Sequence, residues 1–164
     1  MIRIGVLSDT HLMRWEDCDA LAQRLMRKLW SEVDVVLHAG DIVNPDLLDC
    51  FGGKEVYAVR GNMDPPSPRL PNQRIVTFGG CRFGMVHGWG SPEGIEERVV
   101  GAFAGEELDV IIYGHSHLPI CREVEGILLL NPGSATDRRK APFHSVGLIE
   151  IDDNLSGRIL RLDW

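Results

Sequence analysis

Residues 111–117 read Ile-Ile-Tyr-Gly-His-Ser-His, and this stretch decides how the rest of the chain is interpreted. The apolar, β-branched run that ends at Ile112 is typical of a buried strand. Gly114 ends the run, and its backbone freedom allows His115 and His117 to be aimed at two nearby points. Neutral imidazole nitrogens are good ligands for transition metals. The stretch therefore predicts a buried strand with a metal site at its carboxyl end, provided that other strand ends supply the missing ligands.

Composition favours a globular protein over one that coats nucleic acid. The 164 residues are 44% hydrophobic and 25% charged, which is ordinary for one domain, and we predict a single domain spanning residues 1–164. The net charge is −7 and there is no basic stripe, so the sequence carries no strong nucleic-acid-binding signal. The short basic run at residues 138–140 is interpreted as a solvated loop.

The location is predicted to be cytoplasmic, without a membrane segment. The four cysteines are widely spaced and form no CxxC pair, which is typical of reduced thiols in the cytosol. The N-terminus runs directly into a strand-like segment that contains Arg3, unlike a signal peptide. No apolar stretch approaches the ~20 residues that a membrane span requires.

The first sixty residues alternate between strand and helix patterns. An amphipathic helix is predicted over 16–30, and Asn44 caps a short helix over Pro45–Cys50 with proline at its first position. Strands are predicted over 2–8, 33–37 and 55–59. Such alternation implies parallel strands in a layered α/β sheet.

The second half of the chain is richer in antiparallel hairpins. A helix is predicted near 93–104, although its glycines weaken the pattern. The predicted strands are 73–78 paired with 81–87 across Gly79-Gly80, a single strand over 108–113, 119–124 paired with 127–131, and 145–151 paired with 157–163.

Polar side chains follow five of these predicted strands. In layered α/β sheets, ligands bind outside the carboxyl ends of the strands, so these side chains are expected to converge. Seven ligands exceed what one four-coordinate site uses, whereas two ions that share a bridging carboxylate would use them all. Two cations about 3.5–4 Å apart suit in-line displacement at phosphorus. The seven candidate metal ligands are Asp9, His11, Asp41, Asn62, His87, His115 and His117.

The ordered set of motifs resembles the calcineurin-like metallophosphoesterases, and in spacing it is similar to their small bacterial and archaeal phosphodiesterase branch. The resemblance covers residues 9–134, and five motifs in the same order make it specific. Asn131-Pro132-Gly133-Ser134 also resembles a segment of that branch. The motifs are Asp9-x-His11, Gly40-Asp41, Gly61-Asn62, Val86-His87-Gly88 and Gly114-His115-Ser116-His117.

The resemblance implies a fold and a role for each ligand. The fold would be a four-layer αββα sandwich of two mixed sheets flanked by helices. One metal would be held by Asp9, His11 and His117, a second by Asn62, His87 and His115, and Asp41 would bridge both. A hydroxide between the ions would attack the phosphorus of a small phosphodiester.

The same resemblance implies the remaining parts of the site. Asp41, Asn62 and Asp64 would act in catalysis, Asp64 by orienting a neighbouring ligand through hydrogen bonding. The cofactors would be two divalent ions. Manganese is the first expectation, while nickel, iron, cobalt or zinc also suit these ligands.

Two positions depart from the family pattern. Many members carry a histidine after Gly-Asn that serves as a general acid, whereas this chain has Met63, which has no proton to donate. The small phosphodiesterase branch often lacks that histidine too. A second histidine often follows His-Gly, and this chain has Trp89 there, which could form an apolar wall for the substrate's organic group.

Two alternative functions stay open at the level of sequence. One is a non-catalytic protein-interaction scaffold, because a eukaryotic retromer subunit has this fold and has lost parts of its metal site. The other is a phosphomonoesterase or nucleotidase with the same ligands. A homodimer is also possible.

Overall fold

Two five-stranded mixed sheets form the centre of the molecule in the computed structural model, which describes residues 1–164. The first sheet has the order β10-β9-β1-β2-β3 and the second β4-β5-β6-β8-β7. The strands are β1 (Ile2–Leu7), β2 (Val35–His38), β3 (Glu55–Ala58), β4 (Gln73–Phe78), β5 (Cys81–Val86), β6 (Val110–Ile112), β7 (Ile120–Val124), β8 (Ile127–Asn131), β9 (His144–Ile151) and β10 (Leu155–Leu162). The helices are α1 (Trp15–Lys28), a 3₁₀ helix (Pro45–Asp49) and α2 (Ile95–Gly101).

Each sheet has three parallel strands that point their carboxyl ends to the same edge. In the first sheet these are β1, β2 and β3, and the antiparallel pair β9–β10 adds to the free side of β1. In the second sheet they are β5, β6 and β8, with β4 and β7 antiparallel at the two edges. Six strand ends are therefore available to carry functional loops, one more than the sequence indicated.

Three apolar clusters separate four layers. Alternate residues along β1 and β2 face opposite sides, so Leu7 and Val36 pack toward α1 while Val6 and Leu37 pack against the second sheet. The helix α1 buries Cys18, Leu21, Ala22 and Leu25, which recur at helical spacing. A smaller cluster, which includes Ile95 and Val99, lies between the second sheet and α2. This order confirms the expected four-layer αββα sandwich.

The predicted elements are all present, with small differences at their ends. The short helix after Asn44 is a 3₁₀ helix, and the Asn44 side chain accepts a hydrogen bond from the Asp46 amide as expected for a cap. The helix α2 is shorter than predicted, because Gly94 adopts a left-handed φ of 74° at its start and it ends at Gly101. Neither α-helix has the length and apolar content that a membrane crossing requires.

Candidate metal centre

Five of the seven predicted ligands come together where the two sheets present their carboxyl strand ends. Asp9, His11 and His117 form one group, and Asp9, Asp41 and His87 form another, with the possible ligand atoms of each group within 4.8 Å of one another. Asp41 also reaches both sides, because its Oδ2 lies 3.5 Å from His11 Nε2 and 3.4 Å from His87 Nε2. The carboxylates of Asp9 and Asp41 therefore lie among the imidazoles of His11, His87 and His117.

The atoms that face one another in this cluster lack hydrogen-bond partners. Leaving a buried polar atom unpaired costs about 1–3 kcal/mol. Two of the histidines have their other nitrogen occupied: His87 Nδ1 donates to the Ala39 carbonyl at 2.7 Å, and His117 Nδ1 donates to the Asp137 carbonyl. The unpaired buried atoms of the centre are Asp9 Oδ1, His11 Nε2, His87 Nε2 and His117 Nε2.

Those contacts fix the tautomers of His87 and His117. With Nδ1 protonated, each Nε2 presents a lone pair, and that lone pair points at a carboxylate oxygen 3.4–3.7 Å away. Two acceptors in such proximity require a proton or a cation between them. The arrangement therefore fits a bound metal, and carboxylate oxygen with imidazole nitrogen is a donor set that first-row transition metals accept.

Burial acts differently on the two carboxylates. It raises the pKa of Asp9, because the fully enclosed charged form is poorly solvated. Burial also acts to raise the pKa of Asp41, but His87 in its protonated form and the Met63 amide outweigh it and hold that pKa at about 2. A cation near both carboxylates would compensate the buried negative charge.

His115 lies beside the cluster and outside the two close groups. Its ring centroid is 5.3 Å from that of His87, and its Nε2 is 3.0 Å from the Gly90 carbonyl. If Nε2 donates to that carbonyl, Nδ1 is the nitrogen left for a metal. The His117 ring instead stacks on His11 at 5.2 Å, so the two histidines of the 111–117 stretch approach different partners, as their spacing around Gly114 predicted.

Asn62 lies exposed in the loop after β3, and the structure gives its side chain no hydrogen bond. The next residue, Met63, donates its amide to Asp41 Oδ1 at 2.9 Å, which places this loop against the cluster. The role of Asn62 as a ligand stays a prediction. The Met63 and Trp89 side chains are 58% and 49% exposed, so both are accessible at the surface near the centre.

The backbone is strained where the candidate ligands lie. Eight residues other than glycine have a positive φ, and five of them are candidate ligands. Such conformations cost about 1–3 kcal/mol each and cluster at functional sites. The five are Asp9 (55°), His11 (48°), Asp41 (58°), His115 (72°) and His117 (62°).

Two glycines let the loops approach closely. A Cβ at Gly114 would overlap the Ser8 hydroxyl and meet Asp9 Oδ2, and a Cβ at Gly61 would overlap Asp41. Neither position has room for a side chain. The glycines in the motifs are therefore required by the close packing of the loops.

Asp64 holds the Asp41 loop in place. Its Oδ2 accepts the amides of Asp41 and Gly61, and its Oδ1 accepts those of Ile42 and Val43, each at 2.8 Å. The side chain is buried and does not reach the four unpaired atoms. These contacts fix the backbone on both sides of Asp41, and the role of Asp64 in catalysis stays a prediction.

His38 links the loops that follow β1 and β2. Its Nδ1 accepts the Gly40 amide at 3.1 Å, so its Nε2 carries the proton and donates to Thr10 Oγ1, also at 3.1 Å. Ser8 and Ser134 support Asp9 from two other sides, since Ser8 Oγ donates to Asp9 Oδ2 and Ser134 Oγ donates to the Asp9 carbonyl, both at 2.7 Å. Ser8 was not identified from the sequence.

Acidification is expected to destabilise the metal-free protein through His38. Burial lowers the pKa of His38 to about 3, so between that pH and about 6.5 the unfolded chain binds more protons than the folded one. Stability contributed by this group therefore falls as pH falls, by up to about 1.4 kcal/mol per pH unit. Urea unfolding at pH 4, 5 and 6 measures this, and His38→Gln should show a shallower dependence. If the unfolding free energy changed equally with pH in the wild type and in His38→Gln, the pH dependence would not come from His38.

A family model described as the calcineurin-like phosphoesterase superfamily domain matches residues 2–154. The chain belongs to this superfamily. A probable metallophosphoesterase of Methanothermobacter thermautotrophicus is 36% identical over 163 residues, which cover 96% of this chain and 91% of the relative. A probable metallophosphoesterase of Methanocaldococcus jannaschii is 33% identical over 164 residues, covering 98% and 81%. The predicted resemblance is confirmed.

Solved structures of other proteins share the fold of this chain. One described as a novel archaeal phosphodiesterase has a TM-score of 0.77 at 22% identity, with 98% of this chain and 100% of that chain covered. Vps29 from Entamoeba histolytica in complex with Zn²⁺ has a TM-score of 0.67 at 22% identity, covering 98% and 99%. At this level of identity the likeness shows the fold alone.

Proposed function

We propose that this protein is a phosphodiesterase that uses two divalent metal ions to hydrolyse a P–O bond in a small phosphodiester. The observation that carries the proposal is the set of unpaired buried atoms on Asp9, His11, His87 and His117, which lie close together in the centre. Membership of a phosphoesterase superfamily supplies the reaction class. The Asp and His donors suit a divalent metal, with manganese as the first expectation.

In this proposal each side chain has a defined task. Asp9, His11 and His117 hold one ion, while Asn62, His87 and His115 hold the other, the last through Nδ1. Asp41 would contribute Oδ2 to both ions, because this atom lies 3.5 Å from His11 Nε2 and 3.4 Å from His87 Nε2 and makes no hydrogen bond, whereas its Oδ1 accepts the Met63 amide. Two bound divalent ions would supply positive charge for the phosphodiester and a hydroxide nucleophile at neutral pH.

Met63 favours a diester substrate. It follows Asn62 where other family members carry a proton-donating histidine, and the small phosphodiesterase branch that the sequence resembles often lacks that histidine. The leaving oxygen must then take its proton from solvent, which the exposed position of Met63 allows. Trp89, also exposed, is proposed to contact the organic part of the substrate.

Two observations favour an enzyme over a non-catalytic scaffold. Every candidate ligand position holds a residue that can bind a metal, and five of them have a left-handed backbone, a strained conformation that clusters at functional sites. The Vps29 likeness concerns the fold, which does not by itself assign a function. A homodimer and a cytoplasmic location stay predictions.

Hydrolysis of bis(p-nitrophenyl) phosphate tests the proposal. The purified protein should release p-nitrophenolate in the presence of Mn²⁺, and a chelator should abolish that release. p-Nitrophenyl phosphate, a monoester, should be cleaved more slowly. Faster cleavage of the monoester would support the phosphomonoesterase alternative, and the absence of turnover with each of several metals in a folded protein would support the scaffold.

Replacing Met63 by histidine is expected to speed the cleavage of esters with poor leaving groups. General acid catalysis contributes about 10²–10⁴-fold where the leaving oxygen needs a proton, so we expect at least a tenfold rise in kcat for a diester whose leaving group is an alkoxide. The test substrate is a dialkyl phosphate, from which only an alkoxide can leave. Turnover of bis(p-nitrophenyl) phosphate should change less, because p-nitrophenolate leaves without protonation. Equal effects on both substrates would show that position 63 does not face the leaving oxygen.

A further inference from the structure

A cleft of about 300 Å³ lies beside the candidate metal centre. Its walls come from loops that follow three parallel strands: Gly90 after β5, His115 and Ser116 after β6, and Arg139 and Lys140 after β8. His115 belongs both to this cleft and to the proposed ligand set. A pocket of this size lies at the lower end of the range for small-molecule sites.

The charge of the cleft contrasts with that of the whole protein. Residues 137–140 read Asp-Arg-Arg-Lys, which adds up to +2, whereas the chain carries −7. Arg138 is engaged with the Ala141 carbonyl at 2.7 Å, and Arg139 Nε lies 3.6 Å from Asp137 Oδ2. Lys140 makes no ion pair. The cations that face the cleft are therefore only partly neutralised.

The basic segment is anchored to the metal centre. The Asp137 amide donates to Ser134 Oγ at 2.8 Å, and its carbonyl accepts the proton on His117 Nδ1. Ser134 in turn donates to the Asp9 carbonyl. The loop is exposed, as expected, but its start is held against two candidate ligands, His117 and Asp9. The backbone that carries Arg139 and Lys140 is therefore anchored beside the candidate metal centre.

We propose that this cleft is an anion subsite, lined by Arg139 and Lys140, that binds a second negatively charged group of the substrate. The substrate would then be a small phosphodiester that carries a further phosphate or carboxylate. This inference rests on the proposed phosphodiesterase function and adds the substrate class. An exposed cation in such a pair contributes at most about fivefold in binding, so the two together should give about a tenfold preference.

The test compares two substrates that differ in one charged group. Thymidine 5′-(p-nitrophenyl phosphate) has no second anion, and its 3′-phosphorylated counterpart has one. With Mn²⁺ present, kcat/KM should be about tenfold higher for the 3′-phosphorylated substrate, and the ratio should decline as salt is added. A 3′-O-succinyl counterpart distinguishes a carboxylate from a phosphate as the preferred anion.

A double variant tests whether the preference for the 3′-phosphorylated substrate comes from the cleft. In Arg139→Gln/Lys140→Gln the ratio of the two kcat/KM values should fall to about one. The matched control is Arg27→Gln/Lys28→Gln. It removes an exposed Arg-Lys pair, consecutive in sequence, at the end of α1, and it should retain the wild-type ratio. A ratio near one in the wild-type protein, or an unchanged ratio in the cleft variant, would overturn the inference.

Failure of the phosphodiesterase proposal can be distinguished from failure of the anion subsite. If the wild-type protein cleaves neither substrate, the phosphodiesterase proposal fails, and binding then tests the subsite. Calorimetric titration of the Mn²⁺-loaded protein with thymidine 3′,5′-bisphosphate and with thymidine 5′-phosphate should show tighter binding of the bisphosphate, and the advantage should disappear in the cleft variant. Equal affinities in the wild-type protein would overturn the subsite as well.

Discussion

Asp41→Asn is expected to lower kcat/KM for bis(p-nitrophenyl) phosphate by on the order of 10³-fold or more while the protein stays folded. The proposed bridge would hold both ions, and bound metal lowers the pKa of water from about 15.7 to about 7, so that a hydroxide would be available at neutral pH. An amide has no negative charge to hold two cations together. The measurement is steady-state turnover at saturating Mn²⁺, with circular dichroism to verify the fold.

Asp153→Asn is the matched control for that experiment. Asp153 lies exposed in the turn between β9 and β10, so the same chemical change there should leave turnover unaltered. Turnover of Asp41→Asn within tenfold of the wild type would contradict the bridging assignment. Asp9, which belongs to both close groups, would then be the better candidate for the bridge.

Asp64→Asn is expected to destabilise the metal-free protein by about 3 kcal/mol or more. The carboxylate accepts four backbone amides, and the amide nitrogen of asparagine can accept none, so two buried N–H groups lose their partner whichever way the side chain is oriented. The loss is a large part of a typical stability of 5–15 kcal/mol. The affinity for Mn²⁺ should fall about 10–100-fold as the Asp41 loop loosens.

Urea unfolding and Mn²⁺ titration measure these two effects. Asp49→Asn serves as the control, because Asp49 is exposed and pairs only with Arg69, so its loss should change stability by less than about 0.5 kcal/mol. If the free energy of unfolding of Asp64→Asn equalled that of the wild type, solvent would be able to replace the hydrogen bonds that the carboxylate makes.

The clustering of five candidate ligands could be predicted from the sequence because it depends largely on local rules. A buried apolar strand that ends in a glycine and a polar residue is visible in a single window, and parallel strands bring their carboxyl ends to one edge of the sheet. The alternation before residue 64 therefore indicated where Asp9 and Asp41 would meet. His115 and His117 were identified in the same way.

The supporting contacts could not be predicted, because they depend on pairing between distant segments. The hairpin of β7 and β8 was expected, but no local signal shows that β8 inserts parallel to β6 and so carries Ser134 and the basic segment to the metal centre. Likewise, β9 pairs with β1 across most of the chain length. Residues 138–140 were interpreted as a solvated loop for this reason, since charge alone does not show what a loop lies beside.

The side-chain networks were also beyond the sequence. Asn131 and Ser134 could have formed a plain turn or touched substrate, yet both are buried. Asn131 donates to the Gly114 carbonyl and to Ser116 Oγ, so it supports the histidine loop from below the surface. Hydrogen bonds of this kind depend on rotamers and on which loops become neighbours, which composition and periodicity do not determine.

The most direct test of a two-metal phosphodiesterase is to titrate the metal-free protein with Mn²⁺ and to follow turnover of bis(p-nitrophenyl) phosphate at each step. If two ions are needed, activity should stay low through the first equivalent of tightly bound metal and rise with the second. Metal analysis after removal of the unbound ions should give two per chain for the wild type and fewer for Asp41→Asn. Full activity with one bound ion, or two bound ions without turnover, would contradict the account.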